Sequence, residues 1–132
     1  MFYSTGIIKY DTSDGPWVTV GIDQEILNYY YSLIPKYYHV FKPRWKAHVT
    51  VVRPEENTVI NRFWESRQSH IAKFVYDPTI LWENGFWWFN LWSNEMDQIR
   101  LELGLSIKSR ITIPPAGYTK CFHCTIAKDF GT

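Results

Sequence analysis

The sequence predicts an α+β chain built from two halves that repeat one another in the order of their elements. Three observations carry that prediction. Strand-like and helix-like patterns recur in the same order in each half, though without residue identity. Each half closes with a strand, a helix, a basic connection containing proline, and a short apolar strand that bears a histidine. Those two final strands share one pattern, His-x-Thr, as His48-Val49-Thr50 and His123-Cys124-Thr125. The recurrence points to a pseudo-twofold architecture.

Phe2 to Tyr10 and Trp17 to Ile22 read as strands, joined by the turn-forming run Asp11-Thr12-Ser13-Asp14-Gly15-Pro16. Asp23 is placed to cap a helix that runs to about Leu33, with Pro35 just past its end. Ile26, Tyr29, Tyr30 and Leu33 fall at helical spacing along it. A connection carrying Lys36, Lys42, Pro43, Arg44 and Lys46 enters the strand Ala47 to Arg53. Asn57 to Ser69 reads as a short linking helix, on the strength of Val59, Ile60 and Phe63.

In the second half, Ala72 to Tyr76, Thr79 to Trp82 and Phe86 to Trp92 read as strands. Asn84-Gly85 is a strong hairpin signal, because both residues tolerate positive φ. Ser93 or Asn94 caps a helix through Leu103, stopped by Gly104. A connection with Lys108, Arg110, Pro114, Pro115, Gly117 and Lys120 leads into the strand that carries His123. With its glycine and two prolines, the stretch from Lys108 to Lys120 has the make-up of a lid.

A chain of 132 residues is normally one domain, long enough to bury roughly two-thirds of its unfolded surface. At 45% hydrophobic residues it does not belong to the disordered class. A net charge of +1 argues against a protein held on long nucleic acid by phosphate contacts, which needs a concentrated basic face. It leaves room for a small anionic ligand. Aromatic content, 18% with seven Trp and nine Tyr, exceeds what a core this size requires. Core packing accounts for most of these rings, and nucleobase stacking is the functional alternative for some. No stretch approaches 18 consecutive apolar residues and the first residues lack the make-up of a signal peptide, so a cytoplasmic protein is expected. Cys121 and Cys124 lack a second ligand pair for zinc, and a period of two puts them on opposite strand faces. Two reduced thiols, no metal and no cofactor are expected.

On a strand, residues i and i+2 project from one face, roughly 6 to 7 Å apart. Each His-x-Thr therefore offers an imidazole and a hydroxyl to the same side. If the two strands meet, two imidazoles and two hydroxyls face one cleft. Metal-independent cleavage of a phosphodiester needs that set. A neutral His takes a proton from the attacking hydroxyl or water, and a protonated His gives one to the leaving oxygen. Imidazole suits both roles, since its unperturbed pKa of about 6.5 is close to working pH. The hydroxyls donate to the non-bridging oxygens, where transition-state charge collects. His39 and His70 are followed two residues later by Phe41 and Ala72, and read as surface or packing residues. Arg53 and Lys128 each follow their motif histidine by five residues, so strand parity puts them on the opposite face as solvated charges.

The paired His-x-Thr strands resemble the signature of the 2H phosphoesterase superfamily, which includes LigT-like RNA 2′,3′-cyclic phosphodiesterases and phage enzymes that destroy cyclic nucleotide signals. The resemblance spans nearly the whole chain, because both halves are needed to present both motifs. It implies a single domain over 1–132, bilobal, with pseudo-symmetric sheet-plus-helix lobes at roughly 1–56 and 71–132 around a central cleft. It also implies catalytic roles for His48 and His123 and phosphate-binding roles for Thr50 and Thr125. Which histidine is acid and which is base the motif leaves open.

Small size, near-neutral charge and abundant aromatic residues favour a compact nucleotide over tRNA ends or long RNA. In size and in its opening strand the chain looks like the phage anti-CBASS phosphodiesterases, which cleave cyclic di- and trinucleotides. That likeness implies attack by a ribose 2′-hydroxyl on a 3′,5′ linkage, with a cyclic di- or trinucleotide as partner and neither long nucleic acid nor membrane. Candidate base-stacking residues are Tyr10, Trp87 and Tyr118. Two alternatives remain at the level of sequence. One is a 2H enzyme acting on RNA ends or ADP-ribose 1″,2″-cyclic phosphate, and the other is a binding module that sequesters nucleotides without turnover.

Overall fold

The computed structural model of the chain describes residues 1–107 and 121–129. Its strands are β1 (Phe2–Asp11), β2 (Trp17–Ile22), β3 (Val40–Phe41), β4 (His48–Val52), β5 (Ile71–Tyr76), β6 (Leu81–Glu83), β7 (Phe86–Trp92) and β8 (Phe122–Asp129). Two nine-residue helices, α1 (Gln24–Ser32) and α2 (Asn94–Glu102), follow β2 and β7. The strands run in the order β3-β8-β4-β2-β1-β5-β7-β6, and β8 pairs again with β7. That second pairing closes β8-β4-β2-β1-β5-β7 into a six-stranded antiparallel barrel, with β3 and β6 as short additions.

The expected pair of sheet-plus-helix lobes is therefore not what forms. The halves are stitched together along two seams. β1 is long enough to pair with β2 from Gly6 to Asp11 and with β5 from Phe2 to Ile7. β8 joins β4 of the first half to β7 of the second. One hydrogen-bonded ring contains every long strand, so neither half owns a sheet and no cleft separates lobes. Closure also leaves the ring without open edges, which are a liability in an antiparallel sheet. Where β1 is paired on both sides, a Cβ on Gly6 would stand 2.5 Å from Val20 Cγ1 and 2.6 Å from the Gly21 carbonyl oxygen. Only glycine lets the strands approach so closely.

Alternation in β1, β2 and β4 sends Ile8, Tyr10, Val18, Val20, Val49 and Val51 into one core with Phe89, Leu91, Cys124 and Ile126. Both helices cover that core. Asp23 caps α1 by accepting the Glu25 N–H at 2.9 Å, and Ser93 caps α2 by accepting the Met96 N–H at 3.3 Å. The face of α1 that turns inward is Leu27 and Tyr30 followed by Ile34, while Tyr29 and Leu33 are exposed. Both stripes have helical spacing, and only packing distinguishes them. Among the described residues no helix is long and apolar enough to cross a membrane.

The linking helix expected between Asn57 and Ser69 is absent. The segment is a run of turns, with Glu65 and Ser69 at φ of 65°. Its end is tied to the barrel: the Tyr10 N–H donates to Gln68 Oε1 at 2.7 Å, and Ile8 exchanges backbone bonds with Ser69 and His70. These bonds to β1 replace the intrahelical ones.

α2 is fixed to β4 and to the turn after it by a buried arginine. Arg100, 1% exposed, donates to the Val51 carbonyl at 2.7 Å and to both Glu56 carboxylate oxygens at 3.0 and 3.1 Å. Removing one partner strands the other in the interior. Arg100→Ala is expected to cost about 3–5 kcal/mol in chemical denaturation, and Arg100→Lys, which keeps a charge beside Glu56, is expected to cost less.

Candidate active site

The two His-x-Thr strands are neighbours in the barrel. β4 and β8 are antiparallel with Val49 opposite Cys124. Extending that register one residue each way sets His48 opposite Thr125 and Thr50 opposite His123. Residues directly opposite stand about 4.5–5.5 Å apart at Cβ, and diagonal ones about 7–8 Å. The result is a two-by-two array on the outer face of the barrel, with histidines on one diagonal and threonines on the other. Val49 and Cys124 point the other way, into the core.

One cavity of about 160 Å³ is lined by all four motif residues together with Arg53, Lys46 and Trp17. Arg53 is the residue that strand parity assigns to the wrong face. The β2–β4 register explains why: Thr19 pairs with Thr50 but Val18 pairs with Val52, leaving Val51 as an extra residue on β4. Such a bulge shifts the alternation by one, so Arg53 rejoins His48 and Thr50. β8 carries the same device. Trp88 pairs with Thr125 but Trp87 with Ala127, which makes Ile126 the extra residue. Lys128 is thereby brought to the face of Thr125, and its ammonium stands 5.4 Å from the centre of the Phe86 ring. Both bulges fall three residues after the motif histidine. The cations five residues on were visible in the sequence; the bulges that aim them were not.

The Arg53 end of β4 is pinned from below. Glu56, held by Arg100, accepts the Arg53 N–H at 3.0 Å. The α2 ion pair thus supports the backbone from which the Arg53 side chain reaches the cavity.

His48 has a defined tautomer. Its Nδ1 stands 2.8 Å from the Lys46 carbonyl oxygen. A carbonyl only accepts, so Nδ1 carries the hydrogen and the neutral ring presents a bare Nε2. His123 lies beside Asn90 across the β7–β8 ladder. Cys124, the middle residue of the second motif, is fully buried, and burial pushes its thiol up to about 12 against a hydrogen bond with the His48 backbone. It stays protonated and is no nucleophile. Cys121 is also buried and takes part in no disulfide among the described residues.

The cavity continues in both directions. Towards β6 and β7 it shares Arg53, His123 and Thr125 with a pocket of about 320 Å³ lined by Phe86, Trp88, Glu83 and Asn84. Towards β1 it shares Trp17 and His48 with an open pocket of about 550 Å³ that includes Trp45 and Lys9. The central array is thus flanked by aromatic surface on either side.

The expected stacking residues lie elsewhere. Tyr10 is a core residue, packed edge-on against Trp64 with ring centres 5.1 Å apart. Trp87 stacks on Trp82 at 5.4 Å and donates its indole N–H to Asp129 at 3.1 Å. Its neighbour Trp88 faces the array instead, beside Thr125. Tyr118 and the expected lid from Lys108 to Lys120 lie outside the described residues. Among the described residues no group of three or more His, Cys, Asp or Glu is placed to hold a metal ion.

If the bulge on β4 aims Arg53 as described, Arg53→Ala should weaken binding of a nucleoside 3′-monophosphate roughly tenfold, as loss of a charged hydrogen bond does. Glu55→Ala, an exposed neighbour, should leave it unchanged in the same calorimetric titration. Comparison with family profiles, curated proteins and solved structures finds no match to the chain.

Proposed function

We propose that the chain is a metal-independent phosphodiesterase that opens 3′,5′ linkages of small cyclic oligonucleotides. The observation that carries the reading is the array itself: two imidazoles and two hydroxyls on adjacent strands, with Arg53 and Lys46 lining the same cavity. The chemistry belongs to the site and not to the bilobal fold, since one catalytic constellation recurs on unrelated scaffolds.

In this mechanism the bare Nε2 of neutral His48 takes the proton from a ribose 2′-hydroxyl. The 2′-oxygen attacks phosphorus, and the bond to the 5′-oxygen breaks. Protonated His123 delivers its proton to that leaving oxygen. The products are a 2′,3′-cyclic phosphate and a free 5′-hydroxyl. Thr50 and Thr125 donate to the non-bridging oxygens, and Arg53 offsets their charge. The cavity of about 160 Å³ suits one phosphodiester and its sugar edge, and the pockets at either end offer aromatic surface to the bases. In an infected bacterium, such an activity would remove the cyclic-nucleotide signal on which a defence response depends, the role implied by the likeness in size and opening strand.

The test is chromatographic turnover in EDTA, with cyclic di- and trinucleotides beside an RNA carrying a 2′,3′-cyclic-phosphate end. His48→Ala and His123→Ala should each lower the rate by about 10²–10⁴ while retaining most of the binding. Because one histidine acts neutral and the other charged, the rate should pass through a maximum with pH and decline on both sides. Thr50→Val should lower kcat more than it raises KM. Cleavage of the RNA end alone would move the substrate to RNA processing. Tight nucleotide binding without turnover would make the protein a sequestering module.

A further inference from the structure

We propose that the pocket beside His123 is a nucleobase subsite that selects guanine through the Glu83 carboxylate. The proposal rests on the cleavage reading only in assigning the phosphate to the neighbouring array.

The pocket is continuous with the array through Arg53, His123 and Thr125, so a group bound there is joined directly to whatever the histidines act on. Its volume, about 320 Å³, stands at the low end of the roughly 300–1,000 Å³ of small-molecule sites. That admits one base with part of its sugar and excludes a whole second nucleotide. The wall is aromatic. Phe86, 40% exposed, gives a planar ligand a surface to stack on, and Trp88, 4% exposed, floors the pocket from the same strand face.

The rim is what discriminates. Glu83 pairs directly with Phe86 across the β6–β7 hairpin, so both side chains share a face. The Asn84-Gly85 turn, with φ of 52° and 80°, fixes that register. Glu83 is exposed and forms no ion pair among the described residues. A carboxylate at this rim repels a second phosphate and calls for hydrogen-bond donors. Guanine presents two, N1–H and the N2 amino group, side by side at the spacing of the two carboxylate oxygens. Adenine presents one amino group beside an acceptor nitrogen, which the carboxylate opposes. Hypoxanthine keeps N1–H and lacks the amino group.

The probes are therefore GMP, IMP and AMP, titrated into the full chain and read by tryptophan fluorescence and by the indole N–H resonance of Trp88. GMP should bind roughly tenfold or more tighter than AMP, with IMP between them, as expected for a bidentate contact. Glu83→Gln should remove most of the GMP advantage and leave AMP binding nearly unchanged. Phe86→Ala should weaken all three. Equal binding of GMP and AMP, or a GMP preference that survives Glu83→Gln, would overturn the proposal. A turnover assay on GpA and ApA separates the two readings. Base discrimination without turnover supports the subsite and counts against cleavage; turnover with no base preference overturns the subsite and leaves cleavage standing.

Discussion

The pairing of β8 on both its edges is the constraint on which the rest of the molecule depends. On one edge it bonds to β4 and, further along, to β3; on the other it bonds to β7. The first contact brings the two His-x-Thr motifs together. The second closes the ring and sets Trp88 beside Thr125. A chain in which β8 paired only with β7 would keep two separate imidazoles and no common cleft. Core burial enforces the register, because a slip of one residue would turn Cys124 and Ile126 outward and His123 and Thr125 into the apolar interior.

Two bulges convert this scaffold into a charged site. Regular strands would send Arg53 and Lys128 to the core side, where an unpaired charge is costly. One extra residue in each strand, Val51 in β4 and Ile126 in β8, is buried and turns the following cation outward. The extra residue on β4 is anchored, since the Val51 carbonyl accepts from Arg100 and Glu56 accepts from the Arg53 backbone. The ion pair under α2 is thus connected to the cavity through two residues of backbone. Stability and site geometry are linked there.

What could be read from the sequence was local. Asp23 and Ser93 cap their helices because a short side-chain oxygen precedes each apolar-periodic run. Asn84-Gly85 turns the hairpin because both positions adopt positive φ. The shared face of His48 and Thr50, and of His123 and Thr125, follows from a period of two. What could not be read depends on partners far along the chain. Barrel closure needs to know that β8 meets β4 as well as β7. A bulge is defined only against the strand opposite. The difference between Trp87 in the core and Trp88 in the cleft is one residue of parity, fixed by the β8 register. The inward stripe of α1, and the turns from Asn57 to Ser69, were settled by packing and by bonds to β1 that no local pattern encodes.

The central claim is that the β4–β8 seam forms one phosphodiester site on the outside of the barrel. The most direct measurement is amide and side-chain NMR mapping with a 2′-deoxy cyclic dinucleotide, which keeps the phosphodiesters but lacks the attacking hydroxyl. The account predicts saturable shifts at His48, Thr50, Arg53, His123 and Thr125, with the His48 ring bound in its Nδ1–H form. Shifts confined to another surface, such as the pocket between β5 and the start of α2 lined by Tyr3 and Trp92, would contradict it.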